Sequence, residues 1–261
     1  MIEAGVRIAP AELCLPAKVF IGHVLELASL VDVLIIPRIV CRRFGRDLYF
    51  GCPKAMALPD MTRALVPDLP PVVEFVLDER QCSEENSYRR LARQLGIGRL
   101  QASTSKPQAR ASGPAPLTQD DKRLLLGLVG HCYLLDDAAL SLGLLDKLRS
   151  LGAEPGRAEH WAQLSNGHMK PPFLPNWMFE KELIDGALNL AGDGRVRGMV
   201  LATSFACGTS AVTNELIRRT LTGARPKLPV MTLMFDEHTS EAGLWTRLES
   251  FLDLIRIQER Q

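Results

Sequence analysis

Short apolar runs of strand length alternate with stretches whose apolar positions recur at helical spacing. VRIAP (6–10) predicts a short strand, and PAKVFIGHVLELASL (16–30) a helix with Pro16 in its first turn, where a missing N–H costs nothing. VDVLIIPRIV (31–40) predicts a buried strand with Pro37 near its end, because proline cannot donate to a sheet ladder. A short helical piece at PDMTRAL (59–65) and a strand at PVVEFVLD (71–78) follow. The next helix, SEENSYRRLARQLG (83–96), is opened by Ser83 and stopped by Gly96. Farther on, RLLLGLVG (123–130), VRGMVLATSF (196–205) and LPVMTLMFD (228–236) predict strands. DAALSLGLLDKLRSLG (137–152), WMFEKELIDGALNLAG (177–192) and SEAGLWTRLESFLDLIRI (240–257) predict helices, as does the segment beginning TNELIRRTL.

Strands and helices in alternation predict an α/β fold with mostly parallel sheets. Between the two halves, STSKPQARASGPAPLTQDD has no apolar period and the composition of a flexible linker. The expected organisation is two Rossmann-like, flavodoxin-like lobes, 1–115 and 116–261, with a cleft between them. Ligands in such folds bind beyond the carboxyl ends of the strands, where the strand order reverses.

Composition narrows the function classes. Hydrophobic residues make up 46% and charged residues 23%, with a net charge of +1, so nothing favours nucleic acid or an acidic membrane surface. Arg42, Arg43 and Arg46, and the pair Arg89 and Arg90, are expected on solvated faces. The most apolar region, VFIGHVLELASLVDVLIIPRIV, is interrupted by His23, Glu26, Asp32 and Pro37 and cannot span a bilayer as one helix. MIEAGVRIAPAELC lacks the apolar core of a signal peptide, so a cytoplasmic protein is expected. No G-x-x-x-x-G-K-[ST] occurs, which argues against ATP hydrolysis by this chain, and no G-x-G-x-x-G follows a strand, which argues against dinucleotide binding.

Six cysteines in a cytosolic chain of this size do not suggest disulfides. Cys14, Cys52 and Cys207 each fall in a connection leading into a helix, where the helix N-terminus stabilises a thiolate by about 0.3–1 kcal/mol. Gly51 and Gly208 beside two of them would let the backbone approach a bulky ligand. Three soft thiolates suit iron–sulfur or zinc, but their wide spacing matches no local motif, and on pattern alone structural or unrelated thiols are the stronger reading. Cys41 and Cys82 read as small buried hydrophobes, and Cys132, after His131 at a strand's carboxyl end, as a reserve ligand. His131, Glu237 and His238 are the candidates for proton transfer or outer-shell support, although Asp236 and Thr239 can equally cap the last helix. Lys18 and Lys54 lie just past cysteines, where a cation would balance an anionic group.

Six segments together carry a family resemblance: PAELCLPAKVFIGHV (10–24), VDVLIIPRIV (31–40), CPKAMALPDMTRAL (52–65), GHCYLLDDAALSLGLLDKLRSLG (130–152), SFACGTSAVTNEL (204–216) and PVMTLMFDEHTSEAGLWTRLESFLDLI (229–255). The chain resembles the cysteine-bearing domain of activase-related proteins in the 2-hydroxyacyl-CoA dehydratase superfamily, which also includes benzoyl-CoA reductase-type subunits and double-cubane cluster proteins. The resemblance implies a [4Fe–4S] cluster held by Cys14, Cys52 and Cys207, with the fourth iron position open. It also implies a separate ATP-hydrolysing activase that supplies a low-potential electron, or a larger cluster-bearing subunit as partner. A component of an ATP-driven reductase or acyl-CoA dehydratase-like system, in anaerobic metabolism, follows from it. So does the alternative of a non-catalytic scaffold or assembly subunit, and an oligomer is compatible with either. The chain departs from the family pattern at two places. Gly208 is followed by Thr209 and Ser210 rather than Pro and Asp, and Cys132 stands where a proline is expected.

Overall fold

A computed structural model describes residues 1–97, 123–162 and 169–260, and the expected linker lies outside them. The chain divides into two compact units, Met1–Arg110 with Asn176–Met178, and Ala111–Pro175 with Phe179–Gln261.

The first unit contains α1 (Ile2–Ile8), α2 (Leu15–Leu27), β1 (Leu34–Phe44), β2 (Asp47–Phe50), α3 (Pro53–Met56), α4 (Leu58–Leu65), β3 (Val72–Asp78) and α5 (Glu84–Gln94). Its sheet has the order β2-β1-β3, with β1 antiparallel to β2 and parallel to β3, so it is mixed rather than wholly parallel. Two expectations are corrected here. Residues 6–8, predicted as part of a strand, close α1 instead, because that helix packs on α2 through two glycines. A Cβ on Gly5 would lie 1.9 Å from the Lys18 carbonyl oxygen, and one on Gly22 would lie 2.2 Å from that of Met1. Pro37 sits inside β1, opposite Phe75 of β3, rather than near the strand end. It is tolerated because β2 pairs only with Cys41–Phe44, so among the described residues the other edge of β1 has no strand neighbour at Pro37. The unpredicted strand β2 follows a tight turn at Gly45, whose φ of +63° favours glycine.

One ion network ties this unit together. The Arg38 guanidinium donates to Asp60 Oδ2 and to Glu74 Oε2, each at 2.7 Å, and Arg63 donates to Glu74 Oε1 at 2.7 Å. The hydrogen bonds from Arg38 hold the Asp60 and Glu74 carboxyls below the usual carboxylate range, and those from Arg80 do the same for buried Asp78. Such groups bind fewer protons folded than unfolded. Their stabilisation is therefore complete above about pH 5 and is lost as the pH falls past about 4 towards the folded pKa values. The urea midpoint of the first unit should stay level down to about pH 5 and then drop, and Arg38→Met should flatten that drop. An unchanged acid slope in the variant would remove the network from the account.

The second unit contains β4 (Leu124–Val129), α6 (Cys132–Leu135), α7 (Ala138–Ser141), α8 (Leu144–Ser150), β5 (Ala153–Arg157), a 3₁₀ turn (Ala158–Trp161), α9 (Met178–Gly192), β6 (Gly198–Ser204), α10 (Gly208–Ala224), β7 (Val230–Phe235) and α11 (Glu241–Glu259). The single helix predicted over 137–152 is broken by Leu142 and Gly143, both left-handed at φ +51° and +67°. The strand β5, AEPGR, was masked in the sequence by its polar and breaker residues. It is an edge strand, where Pro155 is tolerated, and its buried Glu154 pairs with Arg123.

All four strands of this sheet are parallel, in the order β5-β4-β6-β7. β6 is buried at every position, which explains its unbroken small and apolar sequence GMVLATS. Its core is built from Met199 and Leu201 of β6, Ile184, Ala187 and Leu190 of α9, and Ile217 and Leu221 of α10. Counted within the unit, the strand order is 2-1-3-4, the flavodoxin-like arrangement, and the winding reverses between β4 and β6. The protein is thus an α/β protein with a Rossmann-like second unit. A ligand crevice is expected outside the carboxyl ends of β4 and β6. Among the described residues, no helix is long and apolar enough to cross a membrane.

Candidate metal centre

Cys14, Cys52 and Cys207 share one local geometry. Each is the N-cap of a helix, in extended backbone conformation: Cys14 of α2, Cys52 of α3 and Cys207 of α10. Proline in the first turn of α2 and α3 fixes the helical φ without sacrificing a needed N–H. N-cap positions usually carry Ser, Thr, Asp or Asn, whose oxygens accept from the free N–H groups of the first turn. At Cys52 sulfur takes that place, with the Ala55 N–H donating to Sγ at 3.4 Å, whereas Cys14 and Cys207 make no side-chain cap hydrogen bond. The turn before Cys207 is strained, with Ala206 at φ +60°, a conformation that costs a non-glycine residue about 1–3 kcal/mol and is concentrated at functional sites.

The remaining cysteines are placed differently. Cys41 lies inside β1 at 0% exposure, and Cys82 Sγ rests 3.5 Å from Ser87 Oγ. Desolvation, then the carboxylates of Glu159 and Asp136, push the Cys132 thiol up, which opposes thiolate formation.

Cys14 and Cys52 belong to the first unit and Cys207 to the second. In the first, Lys54 Nζ donates to the Glu12 carbonyl at 3.3 Å, so one side chain links the two cysteine-bearing connections. Lys18, in the first turn of α2, is 3% exposed. The reading of Gly51 as room for a ligand is corrected: a Cβ there would lie 2.2 Å from the Ile39 carbonyl oxygen, so glycine is required by packing on β1. A Cβ on Gly208, in contrast, meets no atom within 4 Å.

The second unit gathers polar groups where β4 and β6 separate. His131 follows β4 and caps α6, and Cys207 follows β6. The Cys207 S–H donates to Ser210 Oγ at 3.1 Å, Ser210 Oγ lies 3.0 Å from His131 Nε2, and His131 Nε2 lies 3.3 Å from Glu180 Oε1. His131 also stacks on Tyr133 with ring centres 5.0 Å apart. Glu180 is 2% exposed. Burial alone would push its carboxyl up, but hydrogen bonds from His131 and Thr209 outweigh it and hold the group below its ordinary range. The ligand atoms of His131, Glu180 and Cys207 all lie within 4.8 Å of one another, a group able to hold a metal ion.

Sequence reasoning reached His131 but missed Glu180, Thr209 and Ser210. Glu180 stands in the first turn of α9, where acidic residues are common for reasons of helix dipole alone. Only the fold shows that it stands near Cys207. Glu237 and His238 lie past β7 and are not in this group. There the His238 N–H donates to Asp236 Oδ1 at 2.9 Å, and the helix cap expected from Asp236 and Thr239 is supplied by Ser240.

Fold and site together define an α/β protein with a thiol–imidazole–carboxylate group at its topological switch point. Over residues 1–159 the chain matches the family described as the CoA enzyme activase uncharacterised domain (DUF2229), and it belongs to that family. The matched region includes Cys14, Cys52 and His131, while Glu180 and Cys207 lie beyond it. A search of curated proteins gives no match.

Proposed function

We propose that the chain is a redox component of a CoA-enzyme activase or dehydratase system, and that Cys14, Cys52 and Cys207 hold a [4Fe–4S] cluster. The observation that carries this reading is that all three cysteines, and none of the other three, are helix N-caps. Helix N-termini favour thiolates and an anionic inorganic core. Lys18 and Lys54 add positive charge in the same first turns. Bound there, the cluster would supply low-potential one-electron chemistry. With no phosphate-binding loop of its own, the chain would take its electron from an ATP-hydrolysing partner, in the cytoplasm.

The chain's own groups have a definite part in this. A thiol must lose its proton to become a ligand. His131 Nε2 lies within reach of both Glu180 Oε1 and Ser210 Oγ, so the imidazole keeps the carboxylate and the hydroxyl in place beside Cys207 Sγ. Once the sulfur is a thiolate, the same contact is kept with the Ser210 hydroxyl donating, a bond that tunes the cluster potential. Anaerobic reconstitution with iron and sulfide should give a brown protein that becomes paramagnetic on one-electron reduction. A colourless protein after that treatment contradicts the proposal.

The mutual closeness of His131, Glu180 and Cys207 favours a second reading, a single divalent ion held within the second unit. Three protein ligands with an open fourth position are the pattern of catalytic zinc. Cobalt binding to the Cys14→Ser/Cys52→Ser double variant separates the two. A stoichiometric thiolate–cobalt band that Glu180→Gln removes supports the single ion, and its absence leaves the cluster reading alone.

A further inference from the structure

The sheet of the second unit protects one of its edges and leaves the other bare. In the order β5-β4-β6-β7 the outer strands are β5 and β7. An open edge is a template for another strand, and proteins blunt it with charge, proline or irregularity. The strand β5, AEPGR, has a proline, a glycine and two charged residues. The strand β7, VMTLMF, has none of these, and among the described residues no strand lies beyond it.

The register shows which groups face outwards. The Met199 N–H donates to the Pro229 carbonyl, and the Phe205 N–H to that of Phe235. With Met199 opposite Val230 in a parallel pair, Val230, Thr232 and Met234 therefore turn their backbone groups to the open edge. The Thr232 carbonyl accepts from Arg247 at 2.7 Å and keeps a second lone pair. Grooves accompany the strand on both faces of the sheet. One of about 520 Å³ runs between the start of β7 and α11, with Met231 and Leu254 in its wall. The other, of about 410 Å³, runs between β7 and α10, with Phe205 and Met234 in its wall. A Cβ on Gly198 of β6 would meet Ile255 and Phe251 of α11, while the next residue, Met199, packs with Ile217 and Leu221 of α10. The two helices thus cover opposite faces. Phe205, Met234 and Leu254 are about half-exposed, at 49%, 50% and 47%.

We propose that this edge is an interface between two copies of the chain, formed by antiparallel pairing of β7 with the β7 of a second copy about a two-fold axis at Thr232. The occupant follows from self-complementarity. Centring on Thr232 sets Val230 opposite Met234 of the second copy and Thr232 opposite its own counterpart, side-chain pairs that suit an antiparallel ladder. All three outward residues are then engaged, in about six backbone hydrogen bonds. The same register brings Lys227, which precedes β7, to Asp236 and Glu237 of the second copy, which follow it. Charge is therefore complementary at both ends of the ladder, and no like charges face each other within it. This goes beyond the metal reading and does not depend on it.

Sedimentation equilibrium of the full chain tests the assignment, with a monomer–dimer equilibrium expected at concentrations up to about 100 μM. Met234→Lys places a charge on the exposed edge and should weaken the dimer about tenfold or more, with an unchanged melting temperature. Lys227→Glu should weaken it about fivefold. Thr232→Cys reads the register, because hydrogen-bonded antiparallel partners have Cα atoms about 5.5 Å apart, within disulfide range. Oxidation should cross-link that variant into dimers well beyond the wild type. Met234→Cys should not cross-link, since its counterpart lies about 13 Å away along the strands. The Cys14→Ser/Cys52→Ser variant should dimerise as the wild type does, which separates this interface from any failure of the cluster reading. The proposal is overturned if the chain is monomeric throughout, if Met234→Lys or Lys227→Glu leaves the dimer as tight, or if Met234→Cys cross-links as readily as Thr232→Cys. Loss of the dimer in the Cys14→Ser/Cys52→Ser variant would also overturn it, since the copies would then be joined through those thiols.

Discussion

Gly186→Ala should abolish cooperative folding of the second unit or lower its urea midpoint severely. In a solvent-facing helix the same change stabilises by about 1 kcal/mol, because glycine is a poor helix former. Gly186 lies in the middle of α9, and a Cβ there would sit 1.9 Å from the carbonyl oxygen of Ala158 and 2.5 Å from its carbon. The obstacle is backbone, so no side chain can rotate away. The helix cannot retreat cheaply either, since Ile184, Ala187 and Leu190 on either side of Gly186 are all fully buried. Overpacking relieved by side-chain shifts costs about 1–3 kcal/mol. A clash with backbone should exceed that, against a total domain stability of about 5–15 kcal/mol. Gly223→Ala is the control. It lies in α10 with no atom within 4 Å of an added Cβ and should be neutral or stabilising. Because α9 also carries Glu180, any Gly186→Ala protein that folds should show a disturbed His131 environment by NMR.

The second large effect concerns the cysteines. Cys14→Ser, Cys52→Ser and Cys207→Ser should each eliminate the visible iron–sulfur absorption while leaving the fold at least as stable. Serine is among the best N-cap residues, so α2, α3 and α10 keep or improve their capping, by an amount within about 0.5–2 kcal/mol. The loss is therefore assignable to the sulfur and not to a melted helix. Cys82→Ser and Cys132→Ser should leave the absorption intact, because Cys82 is engaged with Ser87 and Cys132 lies inside α6, whose N-cap is His131. Loss of colour in all five variants alike would point to a general instability.

Much of this architecture is legible in the sequence where burial is two-sided or periodicity is strong. β3, β4, β6 and β7 were found within two residues of their ends, because parallel strands read as short apolar runs. The elements that were missed carry their reasons in tertiary structure. At α1 the β-branched Val6 and Ile8 on either side of Arg7 suggest a strand, but a crossing of glycines against α2 fixes a helix. β5 hides behind Glu154, Pro155, Gly156 and Arg157, residues that suit an edge strand with a buried ion pair and little else. The thiols were legible as residues in connections, while their N-cap role became visible only with backbone angles. Glu180 had no sequence signal: it lies 49 residues beyond His131, on a helix whose pattern is fully explained by packing.

Iron and acid-labile sulfide, counted per chain after anaerobic reconstitution of the wild type and of the three serine variants, test the assignment at its root. About four of each should be found in the wild type, falling below one in every variant. A wild type holding a single metal without sulfide, or variants at Cys14 and Cys52 that retain the full complement, would contradict a cluster shared by the three cysteines.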